Sequence, residues 1–205
     1  MNDFLPLVGS FFSQCFSAML LMIFVENMVF TRALGTSTAL VIIRKKNSLG
    51  IFGITVTSIT VIASVIAYLL EPVLFGIPNV SYFRPLIYVV VISLVYLAAL
   101  AISGYLKESI REKVKPMIHI TAFNCVVLGT LLLAVPEKLE FAGMLGFGLG
   151  AGIGFALAVF FISVAYDYLY SKAIPKAFRG FPALLIYIGL LSLAFYGLVG
   201  HQLPY

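Results

Sequence analysis

The side chains able to do chemistry in this sequence gather in two short stretches. Its 205 residues hold two cysteines, two histidines and eight acidic side chains. Glu26 and Asn27 stand side by side in an apolar run, followed by Thr31-Arg32 and then Gly35-Thr36-Ser37-Thr38. Asn124 and Cys125 stand side by side in a second run, from Ile118 to Thr130, with His119 near its start. A cysteine offers a thiolate to a soft metal. A carboxylate in an apolar run marks an ion or proton site by default. An asparagine ties up backbone groups where a helix is interrupted. Each residue also has a plain structural reading. Asn27 and Asn124 serve equally as hydrogen-bond glue between helices, worth about 0.6 kcal/mol on average. Cys15 reads as a small packing residue, and His119 as interfacial. Glu26 and Arg32 lie six residues apart, so on one continuous helix they are not expected to meet.

Other chemistries lack their residues. No Walker A loop and no Ser-His-Asp set is present, and two histidines with two cysteines make no four-ligand zinc site without acidic help. Gly146 to Ala151 fits the G-x-G-x-x-A pattern, but it lies in an apolar run with no strand before it, so a dinucleotide fold is excluded.

Composition decides what must position these groups. Apolar residues make up 62% and charged residues 10%, against about 45–50% and 25% in soluble domains. A soluble globular enzyme, a disordered chain and a collagen-like one are excluded. The net charge of +5 sits in short loops between apolar runs, which suits membrane orientation rather than nucleic acid. A bilayer core needs roughly 20 apolar residues per helix. Six runs meet that need, at 9–31, 49–70, 84–105, 117–135, 143–166 and 182–200. They read as helices, because backbone groups in lipid must be satisfied within the segment. Arg44-Lys45-Lys46-Asn47, Glu71-Pro72, Ile77-Pro78-Asn79, Lys107 to Pro116, Pro136-Glu137-Lys138 and Tyr170 to Pro182 separate them. The chain therefore reads as one all-α integral membrane domain over 1–205, with the first span a retained helix.

Ten basic residues fall in the loops after spans one, three and five, against Arg84 and Lys138 on the other side. That asymmetry places both termini outside the cytoplasm. The stretch from Gly9 to Ile43 is too long for one straight span, so a break is expected near Gly35 to Thr38, followed by a short helix or re-entrant piece. Asn124-Cys125-Val126 echoes Asn27-Met28-Val29. Two three-span units, about 1–105 and 106–205, then face opposite ways as an inverted repeat, with function where interrupted helices meet at the midplane. Gly146, Gly150 and Gly154 repeat every four residues, as do Gly148 and Gly152, which predicts close helix approach.

The combination of Ile23-Phe24-Val25-Glu26-Asn27-Met28, Leu34-Gly35, Arg44-Lys45-Lys46, Ile120-Thr121 with Asn124-Cys125, the glycines from Gly146 to Gly154, and Arg179-Gly180 resembles the membrane subunits of the sodium-pumping NADH:quinone reductase (Nqr) and the related Rnf complex. Within that family it is most similar to the NqrE and RnfA branch. The resemblance implies a six-helix inverted repeat with helices one and four interrupted, in a bacterial or archaeal cytoplasmic membrane. It implies a paralogous partner of opposite topology, each of the two giving two cysteines to a [2Fe-2S] cluster. Cys125 matches the helix-four cysteine. Ser37 stands where the family has its helix-one cysteine, and a hydroxyl is a poorer ligand than a thiol. Cys15 lies about 33 Å from that position along a straight helix, so it is no substitute. Three thiolates and an oxygen, a fourth ligand from a partner, and no cluster at all are each compatible with the residues.

Two function classes follow, with a third as a purely supporting assembly subunit. The first is an electron-transfer subunit of an ion-translocating oxidoreductase complex. Cys125 and the opposite Ser37 are its candidate ligands, with Glu26, Asn27, Gly35 and Asn124 in support. The second is a cluster-free transporter or channel-like protein, with Glu26 and Arg32 binding a small ion or solute.

Overall fold

The computed structural model describes residues 4–44, 48–74, 76, 79–134 and 139–199. Every regular element among them is helical. The order is α1 (Phe4–Leu20), a π-helical turn (Leu21–Val25), α2 (Thr36–Ile42), α3 (Leu49–Leu74), α4 (Val80–Ser103), α5 (Glu108–Ala122), α6 (Cys125–Ala134), α7 (Phe141–Leu169) and α8 (Phe181–Val199). Five segments are long and apolar enough to cross a membrane, and the pair α5 and α6, bent by 51°, makes a sixth. The chain is a multi-pass helical membrane protein. The separators at 45–47, 77–78 and 136–138 lie outside the described residues.

The helix at the centre is α7. More of it is buried inside the protein than of any other spanning segment apart from the bent pair α5 and α6. It packs along α1 on one side and α3 on the other. The two glycine series make this possible. A Cβ at Gly146 would collide with the Cys15 carbonyl. One at Gly150 would sit 2.5 Å from Met19 O, and one at Gly154 would sit 3.1 Å from Ile23 Cα. Gly148 faces Ser64 and Gly152 faces Thr57 on α3. One helix thus presents small faces in two directions, as the spacing predicts, and backbone contact replaces the solvent-driven packing that lipid cannot supply. Large apolar side chains such as Ile54, Leu86, Leu94, Leu190 and Leu193 lie exposed on the outside, where a bilayer needs them.

Both expected interruptions exist, with different bounds. The first lies at 26–35 rather than 35–38. The helical bonding widens first, with Glu26 N donating to Leu21 O at 2.8 Å across five residues, the signature of a π turn. The helix resumes at Thr36, so Thr36–Ile42 is the short helix expected after the break. The second break falls at Phe123-Asn124. The stretch from Lys107 to Pro116, read as a loop, is largely the first half of α5. Its charges point outward while Val114, Met117, Ile118 and Thr121 keep helical spacing on the packed side. That amphipathic period outweighs the charge density that suggested a loop. α3 likewise runs through Pro72 to Leu74 rather than ending at 70.

Replacing Gly150 by alanine forces α1 away from α7 and is expected to cost about 1–3 kcal/mol, as overpacking does. Replacing Gly189, which has nothing within 4 Å of a Cβ, leaves stability unchanged or higher. Thermal unfolding of the two variants in one detergent checks the contrast.

Candidate functional site

Satisfying the backbone at the first break falls to Asn27. Its Oδ1 accepts the Val29 and Phe30 N–H groups at 3.0 and 3.1 Å. Its Nδ2 donates to Ile23 O at 3.0 Å and to Gly154 O of α7 at 3.1 Å. The residue is fully buried. One side chain therefore stands in for three helical partners of the unwound segment and, through a further bond to a carbonyl already in the α7 ladder, ties that segment to the central helix. Gly154 lies near the middle of α7, so the break is at membrane depth.

The loop then turns back. Ala33 and Gly35 both have left-handed backbone, with φ of 57° and 76°. Leu34 fills the space over Gly129 of α6, where a Cβ would displace the end of the leucine side chain. Gly35 sits against Val126 and Phe155, where a Cβ would collide with the first and lie 2.9 Å from the second. This close seat lets the Gly35 N–H donate to Cys125 Sγ at 3.0 Å. Cys125 is a free, exposed thiol at the first position of α6. Two residues on, Ser37 lies exposed in the first turn of α2, within about 8 Å of Gly35 measured between Cα atoms.

At the second break, Asn124 Oδ1 accepts the Val126 N–H at 3.2 Å and lies 3.7 Å from Cys125 Sγ. Asn124 and Cys125 line a pocket of about 180 Å³ whose other walls come from Val89, Ile92, Ala122, Phe123 and Leu128. The structure thus brings Gly35, Asn124 and Cys125 together, with Ser37 close by in the chain. Cys15 is elsewhere, its carbonyl against Gly146 in the α1–α7 contact.

Glu26 and Arg32 correct the reading of the sequence. They pair, with Arg32 Nε 2.6 Å from Glu26 Oε2. Six residues separate faces on a straight helix, but the unwound loop folds the two side chains together. Both are partly exposed, at 29% and 43%, so the pair clasps the outer side of the loop while Asn27 holds the inner.

Two polar clusters escape sequence reasoning. Glu71 Oε1 accepts from Arg84 Nη1 at 2.9 Å and from the buried Tyr88 hydroxyl at 2.6 Å, stapling α3 to α4. In the sequence Glu71 and Arg84 mark span boundaries, and their thirteen-residue spacing across the connecting turn is the signal of a pair. Tyr96 Oη pairs with His119 Nδ1 at 2.8 Å, and its ring lies 4.9 Å from that of Phe123. His119 is therefore tethered to α4, next to the second break.

Comparison with known proteins agrees in extent and type. A family model described as "Rnf-Nqr subunit, membrane protein" matches residues 15–201. The A subunit of the Na(+)-translocating ferredoxin:NAD(+) oxidoreductase complex of Acetobacterium woodii is 29% identical over 182 residues, covering 88% of this chain and 94% of the relative. The A subunit of the ion-translocating oxidoreductase complex of Aliivibrio salmonicida is 28% identical, covering 87% and 92%. Its counterpart in Shewanella sp. is 29% identical, covering 87% and 93%.

Asn27→Ala strands the Val29 and Phe30 N–H donors at membrane depth, frees the Ile23 carbonyl, and cuts the tie to α7. The expected cost is about 2 kcal/mol or more, from the penalty for unsatisfied buried groups, which exceeds the typical loss for one interhelical bond in a membrane protein. Thr31→Val removes a single side-chain bond to Val25 O and is expected to cost well under half as much. Detergent unfolding midpoints of the two variants measure the difference.

Proposed function

We propose, from the premise that this chain belongs to the Rnf-Nqr family of membrane subunits, that it is one subunit of an ion-translocating electron-transport complex and carries part of an electron path through the membrane at Cys125. The observation that supports this most is the Gly35 N–H bond to Cys125 Sγ. It joins the two helix breaks at one sulfur and leaves that sulfur exposed for a ligand or partner.

A [2Fe-2S] group, implied by the family, fits this donor set in part. An exposed thiol that accepts a backbone N–H is already surrounded as a bound thiolate is, since N–H donors to sulfur tune such centres. The second family position offers the Ser37 oxygen, a harder and less acidic donor. Cys125 would hold the group, with Ser37 as the second donor from this chain. The group would supply one-electron transfer. The chain's own residues do the rest. Asn27 and Asn124 fix the two breaks, Gly35 delivers its N–H to the sulfur, and the Glu26–Arg32 pair keeps the loop folded.

The remaining ligands come from a paralogous membrane protein of opposite topology, seated on the face that exposes Cys125, Ser37 and Phe123. The two halves, about 1–105 and 106–205, form an inverted repeat, with both termini on the non-cytoplasmic side of a bacterial or archaeal cytoplasmic membrane. A second reading, a cluster-free carrier of a small ion or solute, draws on the Glu26–Arg32 pair at the first break, because charges at membrane depth mark ion paths.

Iron and acid-labile sulfide in the purified native complex separate the two. The electron-transfer reading expects both, lost from the membrane subunits in Cys125→Ala and retained in Ser37→Cys. An intact complex whose membrane subunits hold no iron, together with solute uptake into vesicles by this chain alone, establishes the carrier instead.

A further inference from the structure

Three helices leave a groove open on the outside of the bundle, distinct from the pocket at Cys125. It measures about 620 Å³, between α3 from Ile51 to Ile66, α4 from Leu94 to Ser103 with Leu106 beyond, and Val114 and Ile118 of α5. Ile54, Ile62, Leu94 and Ile102 stand 48–71% exposed along it, so it opens outward to the bilayer. Thr55, Ser58 and Ser103 are the hydroxyls in its wall. Two are spent on their own helices, Thr55 Oγ1 donating to Ile51 O and Ser103 Oγ to Leu100 O, each at 2.7 Å. The groove therefore suits hydrocarbon rather than a polar solute. Its wall runs about 14 Å along α4 and about 22 Å along α3, at 1.5 Å per residue. One leaflet of a core about 30 Å thick takes about 15 Å. The depth is that of one leaflet or little more, not of a whole crossing.

Positive charge gathers where the groove meets the surface. Leu106 and Val114 line that end, and Lys107, Arg111, Lys113 and Lys115 stand beside them. Glu108 and Glu112 are the acids of the same stretch, which leaves two positive charges in excess. At about 100° per helical residue, Arg111 lies about 60° from Val114 around α5, and Glu112 about 160°. Arg111 thus shares the groove side, and Glu112 turns away from it. Arg111 Nη2 also holds Glu108 Oε1 at 3.1 Å, with the Glu108 side chain 78% exposed. No side chain caps the start of α5, so its positive end adds to the basic cluster.

This charge selects among occupants. A membrane helix from another protein carries its own basic flank on the side where basic loops gather, and would meet like charge here. A phospholipid with an anionic headgroup brings the opposite sign and a tail of matching depth. We infer that the groove between α3, α4 and α5 holds an acyl chain of an anionic phospholipid, whose phosphate sits against Lys107 and Arg111 at the start of α5. The tail packs against α5, the helix that leads into the second break.

The chain has no tryptophan, so Ile102→Trp places a single reporter in the groove. The full chain carrying it is reconstituted in phosphatidylcholine vesicles. A small fraction of brominated phosphatidylglycerol is expected to quench the reporter several-fold more than the same fraction of brominated phosphatidylcholine. Ile186→Trp, exposed on α8 after the basic loop with Lys172, Lys176 and Arg179, measures general attraction and is expected to show a smaller ratio. Lys107→Gln with Arg111→Gln is expected to bring the ratio at 102 down to that at 186. Lys172→Gln with Lys176→Gln is expected to leave it in place. Equal quenching by the two lipids at 102, a ratio as high at 186, or a ratio that survives the loss of Lys107 and Arg111 overturns the inference. So does a reporter that neither lipid quenches, the result expected if a second copy of the chain covers the groove. Where the Lys107 and Arg111 variant fails to fold, the ratio at 102 against that at 186 decides alone.

Discussion

The structure depends on satisfying polar backbone where no water reaches. A helix hides its N–H and C=O groups in its own ladder, so breaking one in a bilayer exposes several at once. This chain breaks two helices and needs a substitute ladder at each. Asn27 is the fuller solution, bonding to four backbone groups and anchoring the loop to Gly154. The π turn before it and the left-handed residues after it let the chain reverse without stranding the remainder. Remove that side chain and the loop loses the reference that aims Gly35 at Cys125.

Close packing is the second requirement, and it is set by α7. Glycines on two of its faces let α1 and α3 approach to backbone contact. That approach places Gly154 O within reach of the Asn27 amide. Gly129 and Gly35 leave room in the same way for the side chains of Leu34 and Val126. The site is thus assembled from small residues that allow contact and amides that hold it. The only ion pair at the first break, among the described residues, is Glu26 with Arg32 at the loop's outer side.

Much of this was legible in the residues. Apolar runs of spanning length gave the helices, an over-long first run gave its interruption, and glycine spacing gave the α7 contacts. Asn27, Gly35, Asn124 and Cys125 stood out because polar or flexible residues are costly in such runs. What stayed hidden depended on the path of the chain after it leaves helical geometry. The Glu26–Arg32 pair needs the loop's fold, which six residues of spacing do not reveal. The charged half of α5 looks like a loop until its packed side is seen. The Glu71–Arg84–Tyr88 cluster joins side chains on two helices, each ordinary in its own run. The difference between Asn27 and Asn124 is a matter of which acceptors tertiary packing leaves in reach, and no local pattern carries it.

Proximity of the two breaks is the claim on which the site stands, and spin labels at positions 37 and 125 test it. In a chain carrying Cys15→Ser and Ser37→Cys, labels on the introduced thiol and on the native Cys125 should show strong dipolar broadening in continuous-wave EPR, beyond the sum of the two singly labelled spectra. Spectra that merely add would place the first break away from α6, and the shared site would not exist.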